Sequence, residues 1–443
     1  MVAMAVLAYG CGGRAGSDGA AGGSLPTSAG SGPAGAGSGG EPSGPSSQSG
    51  GSGGGGGGGG SSKGGGSSGG ARASTQCKTV NSKLAYGPIG EPQPIPLTAV
   101  PFADCPTCSG VRDLFGSRTA AGYGFVWRVG FELNTPDPNL FSWTAASNFK
   151  GGAPLPLVPE TTADALAIVP APNGFVAATC SLDSKPQWIE LNRDLEVAGG
   201  SSVVAPDAPC GQSMIWTGEV YLTAFADARG LVVASLDEQG ARVGEKVLSE
   251  GVEEPVLTRF SKNGDRVLFV FRKDRARPWY GVLDLQGTPL GAVQPFGDED
   301  TSWVSNLALV AAGDGWWVAN NGSVSNRSGA QLTGISRDGL VWREQRVLYG
   351  HPQLGGFTPS VSGGSLLVAT VNSGGQYYDT SIATTLIDDA GEIVYIEQTQ
   401  IERDEPFVPG VVVDPLRDLV IKPLPLKRFE PTIVVVQEYG CLD

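Results

Sequence analysis

Arg259-Phe-Ser-Lys-Asn-Gly-Asp-Arg-Val-Leu-Phe269 is the stretch on which the reading of the fold turns. Asn263-Gly264 sits between two runs that carry apolar residues. Asn-Gly is a strong hairpin signal, because a two-residue hairpin turn needs positive φ. The following run, Arg-Val-Leu-Phe-Val-Phe over 266–271, has the β-branched and aromatic content of a strand. The stretch reads as strand, tight turn, strand.

The signal recurs. Asn173-Gly174, Thr217-Gly218, Asp314-Gly315 and Gly363-Gly364 each precede a hydrophobic run, and with Gly264 the successive glycines are 44, 46, 51 and 49 residues apart. A second set alternates with the first: Leu236-Asp-Glu-Gln-Gly240, Leu283-Asp-Leu-Gln-Gly287, Ile335-Ser-Arg-Asp-Gly339 and Ile387-Asp-Asp-Ala-Gly391, at spacings of 47, 52 and 52. Two hairpins per period mean four antiparallel strands per unit. Four-stranded units repeating every roughly 40–50 residues are propeller blades. No amphipathic helical pattern interrupts them. The expectation is an all-β chain folded as a seven-bladed β-propeller, with six or eight blades as alternatives.

The units fall near 98–158, 163–206, 210–250, 255–298, 304–349 and 355–402. The remainder, 407–440, holds three strand candidates, and residues 87–97 read like the missing fourth. The N-terminal strand is therefore expected to complete the last blade, which removes both open sheet edges. That closure would bring Cys77 near Cys441.

Two motifs carry resemblances. Phe260-Ser-Lys-Asn-Gly-Asp265 resembles the Phe-Ser-Pro-Asp-Gly-Lys motif of TolB-type, WD40-like propeller repeats, with Lys262 for the proline and Asn263 for the aspartate. The resemblance implies the fold and no particular activity. Ser336-Arg-Asp-Gly-Leu-Val-Trp342 resembles a sialidase Asp-box shortened by one residue, an element that is structural and sits at a third-to-fourth strand turn.

The N-terminus points to export. Met1 to Gly10 is apolar but far shorter than the about 20 residues a membrane span needs. It has the length of a signal-peptide core. Leu7-Ala-Tyr-Gly-Cys11 resembles the lipobox of bacterial lipoproteins. The resemblance implies a lipid on Cys11, the chain's expected contact with a membrane, and a place at the outer membrane or cell surface. A secreted chain with a cleaved signal is the other reading. Residues 12–76 are dominated by Gly, Ser, Ala and Pro and include an unbroken glycine run from Gly53 to Gly60. Such a linker cannot offset its ordering entropy and is expected to be a disordered tether reaching about 40 Å. The domain division is thus 1–11, 12–76 and 77–443.

Composition excludes several functions. Of 443 residues 40% are hydrophobic and 17% charged, and the net charge is −14. Arg14, Lys63, Asp18 and Glu41 cancel within the first 70 residues, so the acidic excess belongs to the folded part. An acidic surface repels phosphate backbones, so no nucleic-acid partner is expected. His351 is the single histidine, which excludes a multi-histidine metal site. No metal and no cofactor are expected. Cys77, Cys105, Cys108, Cys180, Cys210 and Cys441 remain besides Cys11, an even number that fits disulfides in an exported chain. Six cysteines allow about 15 pairings.

The connections between blades are rich in carboxylates. Glu253, Glu254, Asp298, Asp300 and Asp404, with His351, are the candidate ligand-binding positions there. Tyr377 and Tyr378 join them from a long second-to-third strand loop, where tyrosine suits recognition. Trp127, Trp143, Trp188 and Trp279 read as packing between blades. No catalytic residues are assigned. Ser147-Asn-Phe-Lys150 matches Ser-x-x-Lys without a helix to hold it. The expectation is a monomeric binding module for an envelope protein or glycan. A hydrolase or lyase using loop carboxylates, and a purely structural envelope protein, are the alternatives.

Overall fold

The computed structural model describes residues 77–80, 83–96, 111–119, 122–129, 140–158, 162–180, 186–195, 197–203, 213–252, 258–273, 278–297, 301–324, 327–347, 352–362, 366–373, 380–401, 410–424 and 433–442. These contain strands and turns and no helix. The tether 12–76 and Cys11 lie outside the described residues, as do Cys105, Cys108 and Cys210.

Strands β1 (Thr79–Val80) and β2 (Lys83–Leu84) form a short hairpin, and β3 (Tyr86–Ile95) follows. The first meander is β4 (Val111–Arg118), β5 (Gly122–Val129), β6 (Leu140–Ala146) and β7 (Leu155–Val158). Next come β8 (Thr162–Ala171), β9 (Gly174–Cys180), β10 (Pro186–Leu191) and β11 (Val197–Val203). They are followed by β12 (Met214–Trp216), β13 (Tyr221–Asp227), β14 (Gly230–Leu236) and β15 (Arg242–Ser249). The chain continues through β16 (Thr258–Asn263), β17 (Arg266–Arg272), β18 (Pro278–Leu283) and β19 (Gln294–Pro295). Then come β20 (Thr301–Ala312), β21 (Gly315–Val324), β22 (Arg327–Ser336) and β23 (Val341–Val347). Last are β24 (Pro352–Pro359), β25 (Leu366–Ser373), β26 (Thr380–Ile387) and β27 (Ile393–Ile401), before β28 (Gly410–Val413), β29 (Asp418–Pro423) and β30 (Val434–Cys441).

Five of these groups are separate four-stranded antiparallel sheets with strands in chain order. The sixth sheet has eight strands in the order β3-β30-β29-β28-β4-β5-β6-β7. It is two meanders joined where β28 runs parallel to β4, with Val412 opposite Gly116 and Val413 opposite Ser117. At its far side β3 pairs antiparallel with β30, Tyr86 opposite Cys441 and Ile95 opposite Val434. A disulfide between Cys77 and Cys441 ties residues 364 positions apart.

The sheets bury both faces against neighbours, which explains the composition of their middle strands. Every residue of β14, Gly-Leu-Val-Val-Ala-Ser-Leu, is buried, as are Val267 to Phe271 of β17. A strand covered on both faces reads as a continuous apolar run instead of an alternating one. Leu222, Val233 and Leu231 pack with Phe260, Val267 and Phe269 of the next sheet. Leu268 and Val270 in turn pack with Trp316, Val318 and Ile335. The last strands differ: β15, Arg-Val-Gly-Glu-Lys-Val-Leu-Ser, is mostly exposed and charged, which discourages further strands from adding to it. Successive four-stranded meanders stacked face to face are the plan of a β-propeller.

Trp127, Trp143 and Trp188 are buried, and Trp188 packs edge-on against Tyr221 of the next sheet. Trp279 is half-buried, and the Lys273 ammonium lies 5.3 Å from its ring.

Candidate functional site

The candidate ligand positions Glu253, Glu254, Asp298, Asp300, His351, Tyr377, Tyr378 and Asp404 all lie outside the described residues. The strand of Cys180 is described but its side chain is not. What the structure does define is the end of the sheets where first-to-second and third-to-fourth strand turns meet.

Six third-to-fourth strand turns share one geometry. Asp237, Asp284, Ser336 and Asp388 each accept a backbone bond from the glycine three residues on, at 2.9–3.2 Å. Gly240, Gly287, Gly339 and Gly391 all have φ between 78° and 85°. Side-chain oxygens of the three aspartates and Ser336 accept from the backbone N–H four residues on, at 2.7–3.1 Å. The acid or serine therefore fixes the turn locally, as short polar side chains do. The other two turns place Phe149 (φ 59°) and Leu195 (φ 61°) at the glycine position. The Ser147–Lys150 match is thus a turn whose Phe149 stacks on Tyr123 at 4.5 Å.

The turns at Asp284, Ser336 and Asp388 lean on the preceding sheet. Ser235 donates to the Gln286 carbonyl at 2.6 Å, and Tyr280 donates to the Gly339 carbonyl at 2.7 Å. Arg266 bonds Asp338, Arg337 pairs with Asp265, and Arg343 pairs with Glu392. Asn263 donates to the carbonyls of Gly313 and Gly315. The closing sheet is held likewise. Asp414 accepts from Tyr123 at 2.6 Å and from Arg118. Asp418 accepts from Tyr86, Ser360 and the Val361 N–H at 2.8–3.0 Å. Burial, then the Asp418 charge, pushes the Tyr86 hydroxyl far above its ordinary value, so it stays a donor.

A second polar cluster lies between β26–β27 and β29–β30. Lys422 donates to Tyr439 at 2.8 Å, and Tyr439 donates to Glu397 at 2.9 Å. Burial raises Tyr439 above the usual phenol range. These groups satisfy one another, and the cluster joins two sheets.

A pocket of about 370 Å³ opens between the β20–β23 and β24–β27 sheets at this turn-bearing end. Trp317 and Trp342 form its apolar side, ring centroids 4.7 Å apart and planes at 67°. Asp314 comes from the β20–β21 turn, Ser336 from the end of β22, and Asp389 from the β26–β27 turn. Trp317 is 2% exposed, whereas Trp342 is 46% exposed. Leu340, Val341 and Trp342 are three consecutive exposed apolar residues. The Asp-box-like motif supplies Ser336 and Trp342 to the pocket, while its Asp338 is spent on Arg266. Sequence reading singled out other tryptophans. The signal for this one was the apolar run directly after a turn glycine, on an outer strand that should be polar.

With this geometry in view, the chain can be set beside known proteins. No protein-family model matches it, and no curated relative matches it. Among solved structures it resembles a Dyadobacter fermentans protein of unknown function, with TM-score 0.50 and 10% identity over 81% of this chain and 100% of that one. It is also similar to the WD40 domain of Toxoplasma gondii coronin, with TM-score 0.48 and 10% identity over 84% and 89%. The apo AztD structure from Citrobacter koseri gives TM-score 0.42 and 14% identity over 74% and 88%. At such identities the likeness is one of fold alone.

Proposed function

We propose that this chain is an exported, seven-bladed β-propeller, held to the outer membrane or cell surface through a lipid on Cys11, that serves as a non-catalytic glycan-binding module of the cell envelope. The observation that carries the export part of the reading is the Cys77–Cys441 bond. Disulfides persist in oxidising, extracytoplasmic compartments, and this one sits where the ends of the domain meet. Five four-stranded sheets and two four-stranded halves of the eight-stranded sheet support a count of seven. Neighbouring sheets locked turn to turn make a rigid platform, and rigid platforms present binding surfaces at low entropic cost.

Two experiments test this reading. Fractionation of producing cells should find the wild-type protein with membranes and a Cys11→Ala variant in the soluble exported fraction. Recovery of both from the cytoplasm, with thiols 77 and 441 free, would overturn the export reading. The purified protein should be retained on envelope polysaccharide without releasing reducing ends. Steady release of reducing ends would make it a hydrolase, and failure to be retained would remove the glycan reading.

A further inference from the structure

We infer that the Trp317–Trp342 pocket is a sugar-binding site for a neutral pyranose, with the exposed face of Trp342 as the stacking platform. The inference rests on the glycan-binding reading above and names the site and ligand class.

Gly334 is the residue that builds the platform. It pairs with Trp317 across β21 and β22. A Cβ on Gly334 would lie 2.5 Å from Cε2 and 2.6 Å from Cζ2 of Trp342. The indole therefore occupies the space a side chain would fill, and lies back on the sheet beside Trp317. The opposite wall repeats the device: a Cβ on Gly391 would come 2.9 Å from Cη2 of Trp317. Two glycines thus admit two indoles at the mouth between sheets. One is sealed in as the support, and the other stays nearly half in water.

An aromatic left exposed on a chain of net charge −14 invites a partner with an apolar face and a polar edge. A pyranose ring has both. Its C–H face covers the indole, removing apolar area from water. Its hydroxyls donate to carboxylates, and Asp314 and Asp389 are among the lining residues. Charge-assisted bonds of that kind are the strong ones. Arg343 lies beside Gly391 at the same wall but is paired with Glu392, so the two lining carboxylates favour neutral sugars over uronic, sialic and phosphorylated ones. The volume lies toward the lower end of the about 300–1,000 Å³ of small-molecule sites, which suits a short stretch of glycan and not a large ligand. A quaternary ammonium is the competing occupant chemically, because cations also favour indole faces. It calls for several exposed ring faces, however, and Trp317 offers almost none.

Titration calorimetry on the full chain tests the site, with neutral gluco-, galacto- and xylo-oligosaccharides, matched uronate oligosaccharides, and tetramethylammonium chloride as probes. At least one neutral series should bind. Trp342→Ala should weaken that binding at least tenfold while the chain stays folded, with only a modest fall in melting temperature from the lost contact with Trp317. Gly334→Ala, which displaces the indole without removing a lining group, should weaken it as well. Asp314→Asn with Asp389→Asn should weaken neutral sugars and relax the rejection of uronates. Equal binding by Trp342→Ala, or binding of tetramethylammonium alone, overturns the inference. If wild type and Trp342→Ala are equally retained on envelope polysaccharide, this site is wrong while the broader function stands. If wild type is not retained at all, both fall.

Discussion

Leu195 closes over Gly124. A Cβ on Gly124 would lie 2.4 Å from Leu195 Cδ1, and Leu195 is fully buried with φ at 61°. The turn after β10 thus drives a leucine, in a conformation that favours glycine, into a hole left by a missing side chain on β5. We expect Gly124→Ala to cost about 1–3 kcal/mol by overpacking. Paired with Leu195→Ala, it should cost less than the two single changes summed, because the second removes the clash created by the first. Urea denaturation of the four proteins measures the coupling. Strict additivity would mean that the contact is not made.

Tyr280 tests the turn-to-sheet locks. Its hydroxyl donates to the buried Gly339 carbonyl at 2.7 Å, joining the β16–β19 sheet to the turn of the next. Tyr280→Phe leaves that carbonyl without this donor and should cost about 1–3 kcal/mol. By contrast, Arg229→Ala removes the exposed pairs with Asp227 and Glu245, which water and salt screen, and should cost less than Tyr280→Phe. Thermal melts of the two variants side by side check the ranking, and a larger loss for Arg229→Ala would contradict it.

Asp418 predicts a pH dependence. Burial holds its carboxyl above the usual range, against donors from Val361, Ser360 and Tyr86 that favour the charged form. A raised folded-state value means that the folded chain keeps a proton the unfolded chain has released. The contribution to stability is full below the unfolded value of about 3.9 and is lost as pH rises through the folded value. Asp227, Glu245 and Asp265, held low by arginines, act in the opposite direction. The informative quantity is therefore a difference between proteins. The melting temperature of wild type minus that of Asp418→Asn should fall as pH rises from about 4. A difference that grows with pH would mean that the three donors outweigh burial.

Particular residues explain what the sequence revealed. Gly240, Gly287, Gly339 and Gly391 were readable because positive φ selects glycine, so a backbone demand became a visible letter. Phe149 and Leu195 meet the same demand in the same turn, and their side chains hid it. They are tolerated because each fills apolar space in return. The pairing of Cys77 with Cys441 followed from the ring topology: 407–440 lacked a strand, and the cysteines flank the segments that would meet. The tryptophan pocket was not readable. Trp317, Trp342 and Asp389 come from two sheets, and only packing brings them together. The role of Gly334 depends on which side chain lies across it, and no local pattern announces that. The acidic positions Glu253, Glu254, Asp298, Asp300 and Asp404 lie outside the described residues.

The Cys77–Cys441 bond closes a very long loop. In the chain-entropy account, long loops gain most from such a bond, and losing it should cost about 2–5 kcal/mol. Cys77→Ala should melt below oxidised wild type. A variant as stable as the oxidised wild type would mean that the closing strand needs no staple.

The claim on which the rest depends is that the two ends of the domain meet and are joined outside the cytoplasm. Mass spectrometry of non-reduced, alkylated peptides from protein isolated from the envelope fraction addresses it directly. A single linked pair containing Cys77 and Cys441 is expected, with neither residue carrying the alkylating label. Recovery of both as separate labelled peptides, or of either joined to a different cysteine, would contradict it.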